Sequence, residues 1–477
     1  MLRRRFCLRT NVPPPSTARD GGTTWEDPPP PPTLPDAAAP VGPGTLLFRG
    51  KVEVVGATED GILAYFISEN GRRRFEVYDT KSKARTVLAP SAAISDRAVA
   101  AGKVVAHWGS TQSPYGHGSL TLWTQATGPQ VVPGRDSIGG ALAVSEDSTR
   151  AAITFGPYSS GSITNVAIVK IGSAEAPRIV APDVGVGCFM RFGFAGMRLF
   201  TSTCRNGVAT ATVRGFDALG QPVFVREDQL PEITMSAKGE YAATISATGE
   251  LGLVDLAAGT TTSVSTEAHS ALLSPDATSL FFTTQAKALR RASTTSPQTT
   301  AEVRPSGARD VLALAPDQSA VMVSSDAVVT GTGINLKVAY AMDLVSLAPP
   351  YATTTLLTTP TGAPWGFSPS GKHALFLTDI AASRLDAKLR AVPVAGGAEV
   401  VLGTNGAFAT RVAGSSELIV SEYTESFQRN LTLVDLEKGA TPKRIATEVG
   451  VPAVVGRTVY VGFESVGLHA IALPALP

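Results

Sequence analysis

The 477-residue sequence lacks the motifs by which the common enzyme classes are identified. It contains no zinc-peptidase motif HExxH, no nucleophile elbow GxSxG, no glycine-rich phosphate loop before a lysine, no calcium loop and no cysteine pair at zinc spacing. No stretch reaches the roughly 18 to 20 continuous apolar residues of a transmembrane helix. The sequence therefore predicts no cofactor, no bound metal and no transmembrane segment.

The chain also has almost no net charge. Its 41 basic and 40 acidic residues give a formal charge of +1, without the basic excess that is typical of proteins binding nucleic acid or anionic membranes. Aromatic residues make up only 6% of the sequence, whereas 43% of residues are hydrophobic, so aliphatic side chains must form most of the core. Such a composition suits stacked β-sheets.

What the sequence does contain is a repeated pattern of short strands and polar turns. Ten times, an apolar strand enters a polar turn and a second apolar strand leaves it, at a spacing of roughly 44 residues. The clearer turns are Thr58-Glu59-Asp60-Gly61, Ser145-Glu146-Asp147, Ala195-Gly196, Ser236-Ala237-Lys238-Gly239, Ser274-Pro275-Asp276, Ala315-Pro316-Asp317, Ser368-Pro369-Ser370-Gly371 and Gly414-Ser415-Ser416, and weaker ones lie near Ala101-Gly102 and Gly456-Arg457. A repeat of this length indicates a β-propeller, in which sheets too thin to fold alone stack around an axis.

One unit shows how a blade is built. We predict strands at 365–368, 374–378, 388–394 and 400–402, with a tight turn at 369–371 where proline and glycine favour the required backbone angles. The predicted fold is therefore all-β: a β-propeller of four-stranded antiparallel blades. About ten units are counted and 8–10 blades are expected. A single continuous ring is favoured over two smaller rings or inserted units.

The two ends of the predicted ring complement each other. Val451 to Leu473 supplies three strands, and Thr45 to Val55 supplies one extra strand ahead of the first complete unit. We therefore expect these segments to meet in one mixed blade that joins the ends of the chain. The propeller is predicted to span residues 45–477.

Residues 1–44 have the composition of a disordered tether or of part of a leader. Five consecutive prolines, Pro28 to Pro32, make this segment stiff and unable to bury a core. Arg3 to Phe6 faintly resembles a twin-arginine motif, but Pro13 to Pro15 stand where an apolar segment should follow, so no export signal is visible. We expect the chain to begin inside or downstream of a signal or lipoprotein leader, with the propeller periplasmic, tethered to the outer membrane or extracellular.

Two of the three cysteines lie symmetrically about a predicted turn. Cys188 and Cys204 are equally distant from Gly196, so antiparallel pairing is predicted to place them opposite each other. A cross-strand disulfide is one interpretation, although its geometry is demanding. Two buried free thiols are the other. Cys7 has no partner in either interpretation.

The turn sequences resemble those of TolB-like and WD-like bacterial β-propellers. The resemblance rests on Ser274-Pro275-Asp276, Ala315-Pro316-Asp317 and the segment from Leu389 to Gly397, and it covers roughly residues 45–477. Some units depart from it, since Ser370 and Lys238 stand where aspartate is expected. The resemblance implies an interaction platform in the cell envelope, the non-catalytic part of a peptidase, or a lyase. It is specific for fold rather than function, because the shared positions shape turns.

The loops that join the second and third strands of each unit are the predicted binding surface, because they share a face with the blade-to-blade connections. The candidate binding residues on them are Tyr115, His117, Tyr158, Tyr423 and Phe427, since aromatic side chains commonly anchor interfaces. The alternative is that these loops are only solvated turns. A separate set of aromatic residues, Trp108, Trp123 and Trp365, is predicted to pack inside the blades.

The sequence thus favours a non-catalytic propeller that binds a protein or polysaccharide partner through one face and does not bind nucleic acid. A membrane tether through the N-terminus is compatible with this interpretation. The alternative is an enzyme, such as a lyase, with residues that converge on the central channel. Histidine and acidic side chains clustered in the channel would favour this enzyme. The five histidines lie in different units, and a ring could bring them together on its axis as a metal site. A structural surface protein without a discrete site is a third alternative.

Overall fold

The computed structural model of the chain describes residues 44–110, 118–132, 141–155, 165–181, 190–204, 210–217, 219–330, 337–380, 387–439, 442–463 and 466–476. These residues form 38 β-strands and no helix, so the all-β prediction is confirmed. None of the described segments is a helix that could span a membrane.

The strands are short and follow one another closely along the chain. The first thirteen are β1 (Thr45–Arg49), β2 (Lys51–Ala57), β3 (Ile62–Glu69), β4 (Arg72–Asp79), β5 (Arg85–Ala89), β6 (Arg97–Ala101), β7 (Val104–Ser110), β8 (Gly118–Thr124), β9 (Gly128–Val132), β10 (Leu142–Val144), β11 (Arg150–Phe155), β12 (Asn165–Lys170) and β13 (Arg178–Ala181). The next eleven are β14 (Met190–Ala195), β15 (Arg198–Cys204), β16 (Ala211–Phe216), β17 (Pro222–Met235), β18 (Tyr241–Ser246), β19 (Leu251–Asp255), β20 (Thr260–Ser265), β21 (Ala268–Leu273), β22 (Ser279–Thr284), β23 (Leu289–Ser293) and β24 (Ser296–Arg304). The remaining strands are β25 (Asp310–Leu314), β26 (Ala320–Thr330), β27 (Lys337–Ser346), β28 (Thr353–Phe367), β29 (His373–Thr378), β30 (Lys388–Pro393), β31 (Val400–Gly403), β32 (Phe408–Arg411), β33 (Glu417–Tyr423), β34 (Arg429–Asp435), β35 (Lys443–Val449), β36 (Ala453–Val455), β37 (Thr458–Phe463) and β38 (Gly467–Ala472).

These strands form antiparallel sheets in which neighbours in the chain are neighbours in space. Six sheets have four strands: β2 to β5, β6 to β9, β10 to β13, β21 to β24, β32 to β35, and β36 to β38 completed by β1. Two sheets have seven strands, β14 to β20 and β25 to β31, and each consists of two four-stranded units that share the central strand. The described residues therefore build ten four-stranded units, numbered here as blades 1 to 10 from β2 onward. The predicted count of ten units is confirmed.

The shared strands are the main departure from the predicted blade. Strand β17 pairs with β16 in blade 4 and continues without a turn to pair with β18 in blade 5. Strand β28 likewise serves blades 7 and 8, and it begins at Thr353, well before the inner strand predicted at 365–368. The other strands of blade 8 agree with the prediction to within one residue. Blades 4 and 5, and blades 7 and 8, are thus joined by continuous backbone pairing.

The ten blades form one closed ring, a β-propeller. Each blade contacts the next, and β2 of blade 1 also contacts β36 and β37 of blade 10. The ring is closed by β1, which pairs with β38 from Thr45 opposite Ala470 to Arg49 opposite Gly467. The predicted mixed blade is therefore confirmed. The prediction of one strand over 45–55 is wrong, because Gly50 ends β1, and β2 is already the inner strand of blade 1.

The core lies between the blades. Buried side chains of adjacent blades pack together, as where Met322 of blade 7 and Phe376 of blade 8 join one cluster and Leu63 of blade 1 and Tyr460 of blade 10 join another. Both faces of each thin sheet are covered in this way, which a lone four-stranded sheet could not achieve. The first strand of each blade lies innermost, along the central channel.

The predicted polar turns have a structural role on one face of the ring. In the turn after β21, the Ser274 hydroxyl donates to Asp276 at 2.6 Å and accepts from the Ser279 amide at 2.9 Å. Ala277 adopts a positive φ of 63°, the conformation that Gly239 supplies in blade 5 with φ 72°. Serine, aspartate and glycine therefore recur because each satisfies a local backbone requirement.

Neighbouring turns are also bonded to each other. The Glu59 amide of blade 1 donates to Gly102 of blade 2 at 2.7 Å, and the Ala237 amide of blade 5 donates to Pro275 of blade 6 at 3.2 Å. We call this side, which carries the turns between strands 1 and 2 and between strands 3 and 4, the turn-bearing face. The opposite side carries the hairpins between strands 2 and 3 and the blade-to-blade connections, and we call it the loop-bearing face. Strand β1 begins on the turn-bearing face, because Thr45 lies opposite Ala470 near the end of β38.

Candidate functional site

Two of the five predicted binding residues lie in the described part of the loop-bearing face. Tyr115, His117 and Tyr158 lie outside the described residues, so their role stays a prediction. Tyr423 and Phe427 are described, and both belong to the hairpin between β33 and β34 of blade 9.

That hairpin is a tight, hydrogen-bonded structure. Tyr423 is paired with Arg429 across its end, and the Thr424 amide donates to Gln428 at 2.9 Å. The Phe427 amide donates to Thr424 at 3.0 Å, and Phe427 itself has a positive φ of 61°. The Phe427 side chain is 69% exposed. A phenyl ring held in solvent on such a turn is available to a partner, since nothing in the blade covers it.

Four planar side chains at this hairpin and on the strands beside it contact one another in a line. We call them the aromatic row: Trp365, Phe408, Arg429 and Tyr423. The Arg429 guanidinium lies 4.5 Å from the Phe408 ring centre and 4.3 Å from the Tyr423 ring centre, so it is placed between two rings. The Phe408 and Trp365 ring centres are 6.4 Å apart. The row thus runs from the inner strand of blade 8 to the hairpin of blade 9.

The position of Trp365 contradicts its predicted role in blade packing. It lies at a β-bulge between Pro364 and Gly366, where the register against β29 shifts by one residue. Its side chain is 41% exposed, whereas Trp108 and Trp123 are buried as predicted. A bulge redirects a side chain that regular alternation would bury, which explains why the apolar pattern gave the wrong prediction.

The charge of Arg429 is not compensated by a carboxylate. Its guanidinium donates to the Tyr423 hydroxyl at 2.8 Å and more weakly to the Ser421 hydroxyl at 3.5 Å, and no ion pair to it occurs among the residues that the structure describes. The nearby Glu422 instead accepts from the Thr404 amide at 2.7 Å and pairs with Arg444. Cation–π contact stabilises the guanidinium in place without neutralising it. The row therefore combines one exposed ring, Trp365, with two half-buried rings and a positive charge that they flank.

A second group of polar side chains lies on the innermost strands of blades 4 to 7. Arg191 on β14 pairs with Glu232 on β17 at 3.3 Å, and His269 on β21 pairs with Asp310 on β25 at 3.3 Å. The Ser324 hydroxyl donates to the second oxygen of Asp310 at 2.7 Å. Burial acts to raise the pKa of Asp310, but the hydrogen bonds from His269 and Ser324 outweigh it, so this pKa lies below its usual range.

Between the two ion pairs lies a shallow cleft in the channel wall. Its lining residues are Leu230, Glu232, Thr234, Ala243, Ile245, His269 and Ala271. Within the described ranges, no three His, Cys, Asp or Glu side chains are grouped so that they could hold a metal ion. The cleft thus offers one carboxylate and one imidazole above an apolar floor.

His107 is buried and contacts residues of the neighbouring blade. Its Nε2 lies 3.2 Å from Asp96, both side chains are buried, and its ring stacks on Phe75 of blade 1 at 4.7 Å. Burial lowers the pKa of His107, although the Asp96 carboxylate acts to raise it. The histidine therefore helps to join blades 1 and 2.

Cys204, at the end of β15, is disulfide-bonded. Cys188, its predicted partner, lies outside the described residues, so the identity of the pair stays a prediction.

The sequence did not indicate Phe408, Arg429 and Trp365 as site residues. Arg429 could have been predicted from the sequence. Tyr423 lies three residues before Ser426 and Arg429 lies three residues after it, so a hairpin centred on Ser426 places the two side chains side by side. Phe408 follows the connection between two blades, and only the packing of blade 8 against blade 9 brings Trp365 to it.

No protein-family model and no curated protein matches this chain. Solved structures resemble it in fold. A eukaryotic initiation factor is 14% identical, with a TM-score of 0.47 and coverage of 74% of this chain and 88% of that one. The β-propeller domain of the trilobed protease from Pyrococcus furiosus is 12% identical, with a TM-score of 0.34 and coverage of 59% and 94%. A prolyl endopeptidase is 12% identical, with a TM-score of 0.36 and coverage of 81% and 54%. At these values the similarity concerns fold and not function.

Proposed function

We propose that this protein is a non-catalytic binding propeller, related to TolB-like and WD-like bacterial repeat proteins, that holds a protein or polymer partner on its loop-bearing face. The observation that carries this proposal is the aromatic row, with its uncompensated guanidinium and exposed Trp365. Tryptophan, tyrosine and arginine are the residues that most often dominate binding energy at interfaces. The row is built on paired strands, so little conformational entropy is lost when a partner binds.

We further propose that the protein acts at the cell envelope or outside the cell. The disulfide at Cys204 supports this location, because structural disulfides persist mainly in oxidising compartments. The proline-rich residues 1–43 precede Gly44 on the turn-bearing face. A tether attached there would leave the aromatic row facing away from the anchor.

A site-specific crosslinking experiment tests the proposed binding face. A photoreactive residue replaces Phe427, and in a control it replaces Leu219, which is 71% exposed but lies in the turn between β16 and β17 on the turn-bearing face. In the source organism, we expect a discrete crosslinked partner from position 427 only. The purified partner should then bind the isolated chain, and Trp365→Ala should weaken binding at least about tenfold, equivalent to about 1.4 kcal/mol. Identical products from both positions would refute the binding face.

A second candidate function is an enzyme with its site in the central channel. The specific observation in its favour is that His269, which pairs with Asp310, lines one cleft together with Glu232, since an imidazole and a carboxylate can act as general acid and base. The test is turnover of polysaccharide and peptide substrates by the full chain, with His269→Asn as the matched variant. Turnover that this variant abolishes would establish the enzyme. Turnover equal to that of a buffer control would contradict the enzyme, and the binding function would stay the proposal.

A further inference from the structure

The aromatic row is suited to one chemical class of polymer. Along the row, the rings of Trp365 and Phe408 come first, the Arg429 guanidinium follows, and the Tyr423 ring comes last. Phe427 lies beyond Tyr423 in the same hairpin and faces solvent. A ligand that fits must therefore present flat apolar faces and negative charge in close succession.

The arginine has the geometry to bind a carboxylate. A guanidinium presents five N–H donors in a planar fork that matches a carboxylate bidentately. Among the residues that the structure describes, Arg429 donates to two hydroxyl oxygens, those of Tyr423 and Ser421, so donors remain for a ligand. The rings on either side exclude water from the guanidinium faces, and this strengthens its attraction for an anion.

The site is also elongated. The row extends from β28 and β32, the innermost strands of blades 8 and 9, to the β33–β34 hairpin on the loop-bearing face. Small ligands are usually held in concave pockets that bury most of their surface. A surface row with several contact points suits a chain molecule, because each repeating unit of the ligand adds one contact.

We infer that the partner is an acidic polysaccharide, of which one uronate ring lies flat on the exposed Trp365 while a carboxylate of the same polymer binds Arg429. This inference rests on the proposed binding function and names its ligand class. A uronate polymer carries flat C–H faces and carboxylates on successive rigid rings, so both contacts form when few groups are ordered. An acidic peptide carries its charge and its apolar groups on separate flexible side chains, and it would lose more rotamer freedom for the same contacts.

The test uses the full chain and three soluble polymers in calorimetry or affinity electrophoresis. Polygalacturonate supplies rings and charge, neutral galactan supplies rings without charge, and poly-L-glutamate supplies charge without sugar rings. We expect clear binding of polygalacturonate, at least about tenfold tighter than of the other two, and weaker binding as salt rises, because exposed charges are screened. Equal binding of poly-L-glutamate, or equal binding of galactan, would overturn the inference.

Point variants locate the binding in the row. Trp365→Ala and Arg429→Gln should each weaken polygalacturonate binding at least about tenfold, and Arg429→Lys should weaken it as well because the planar fork is lost. The matched control is Arg291→Gln, which removes an exposed arginine over the ring of Phe281, a residue that is fully buried in blade 6. Circular dichroism and thermal melting establish that each variant is folded. Binding that all variants retain at the level of the control would overturn the inference.

The outcomes also separate this inference from the proposed function. If no polysaccharide binds, but a crosslinked protein partner is obtained from position 427 and needs Trp365, the ligand class is wrong and the binding function stands. If neither is found, both fail.

Discussion

The closing strand β1 should control the stability of the whole ring, and Phe48→Ala tests this. The Phe48 ring lies 5.0 Å from the ring of Tyr65 and 6.1 Å from that of Tyr78, and the Arg85 guanidinium lies 4.3 Å above it. Truncating a fully buried phenylalanine costs about 3–5 kcal/mol, and Phe48 is only partly buried, so we take about half of this. Loss of the cation–π contact adds about 0.5–1 kcal/mol. The expected decrease in the free energy of unfolding is therefore about 2–3.5 kcal/mol.

The assay is equilibrium denaturation of wild type and variant, followed by hydrogen exchange of the amides in β2 and β36. The matched control is Leu46→Ala, a truncation on the same strand at a side chain that is 38% exposed, for which we expect a change of at most about 0.5 kcal/mol. Because β2 contacts β36 where the ring closes, both strands should exchange faster in Phe48→Ala. A stability no lower than that of Leu46→Ala would refute the claim that β1 holds the ring closed.

Three further predictions concern turns, the disulfide and a blade contact. Burial acts to raise the pKa of Asp276, but hydrogen bonds led by that from Ser274 lower this pKa to about 2. The ionised carboxylate therefore stabilises the fold fully above about pH 4, and this stabilisation is lost as the pH falls toward 2. The stability difference between wild type and Asp276→Asn should shrink over that range. Thiol titration of the denatured, unreduced chain should find one free thiol, and peptide mapping should find Cys204 joined to Cys188. Glu417→Gln should lower stability by about 1 kcal/mol in denaturant melts, because the buried carboxylate pairs with half-exposed Arg457 of blade 10.

The repeat and the ring closure were accessible from sequence because their signals are local or can be counted. Ser274 and Asp276 bond within their own turn, so the residue types alone indicate it. The last unit supplies only three strands, and a four-stranded blade needs a fourth, which β1 provides.

The continuous strands and the site were harder to predict, for physical reasons. Much of β17 from Arg226 to Glu232 is polar and exposed, and it reads as a loop although its backbone pairs with β16 and then β18. The bulge at Trp365 depends on backbone register, which the apolar pattern does not encode. Arg429 reads as an ordinary charged strand end, and its function depends on Phe408 from a separate strand.

The route by which the chain enters and leaves the ring decides how the protein can be handled. Thr45 begins β1 beside Ala470, and the carbonyl of Leu476 accepts from Lys438, which follows β34 at the turn between strands 3 and 4 of blade 9. Both described ends of the chain therefore emerge on the side away from Tyr423 and Phe427. A bead, a reporter domain or a sensor chip coupled through either end would leave the opposite side unobstructed.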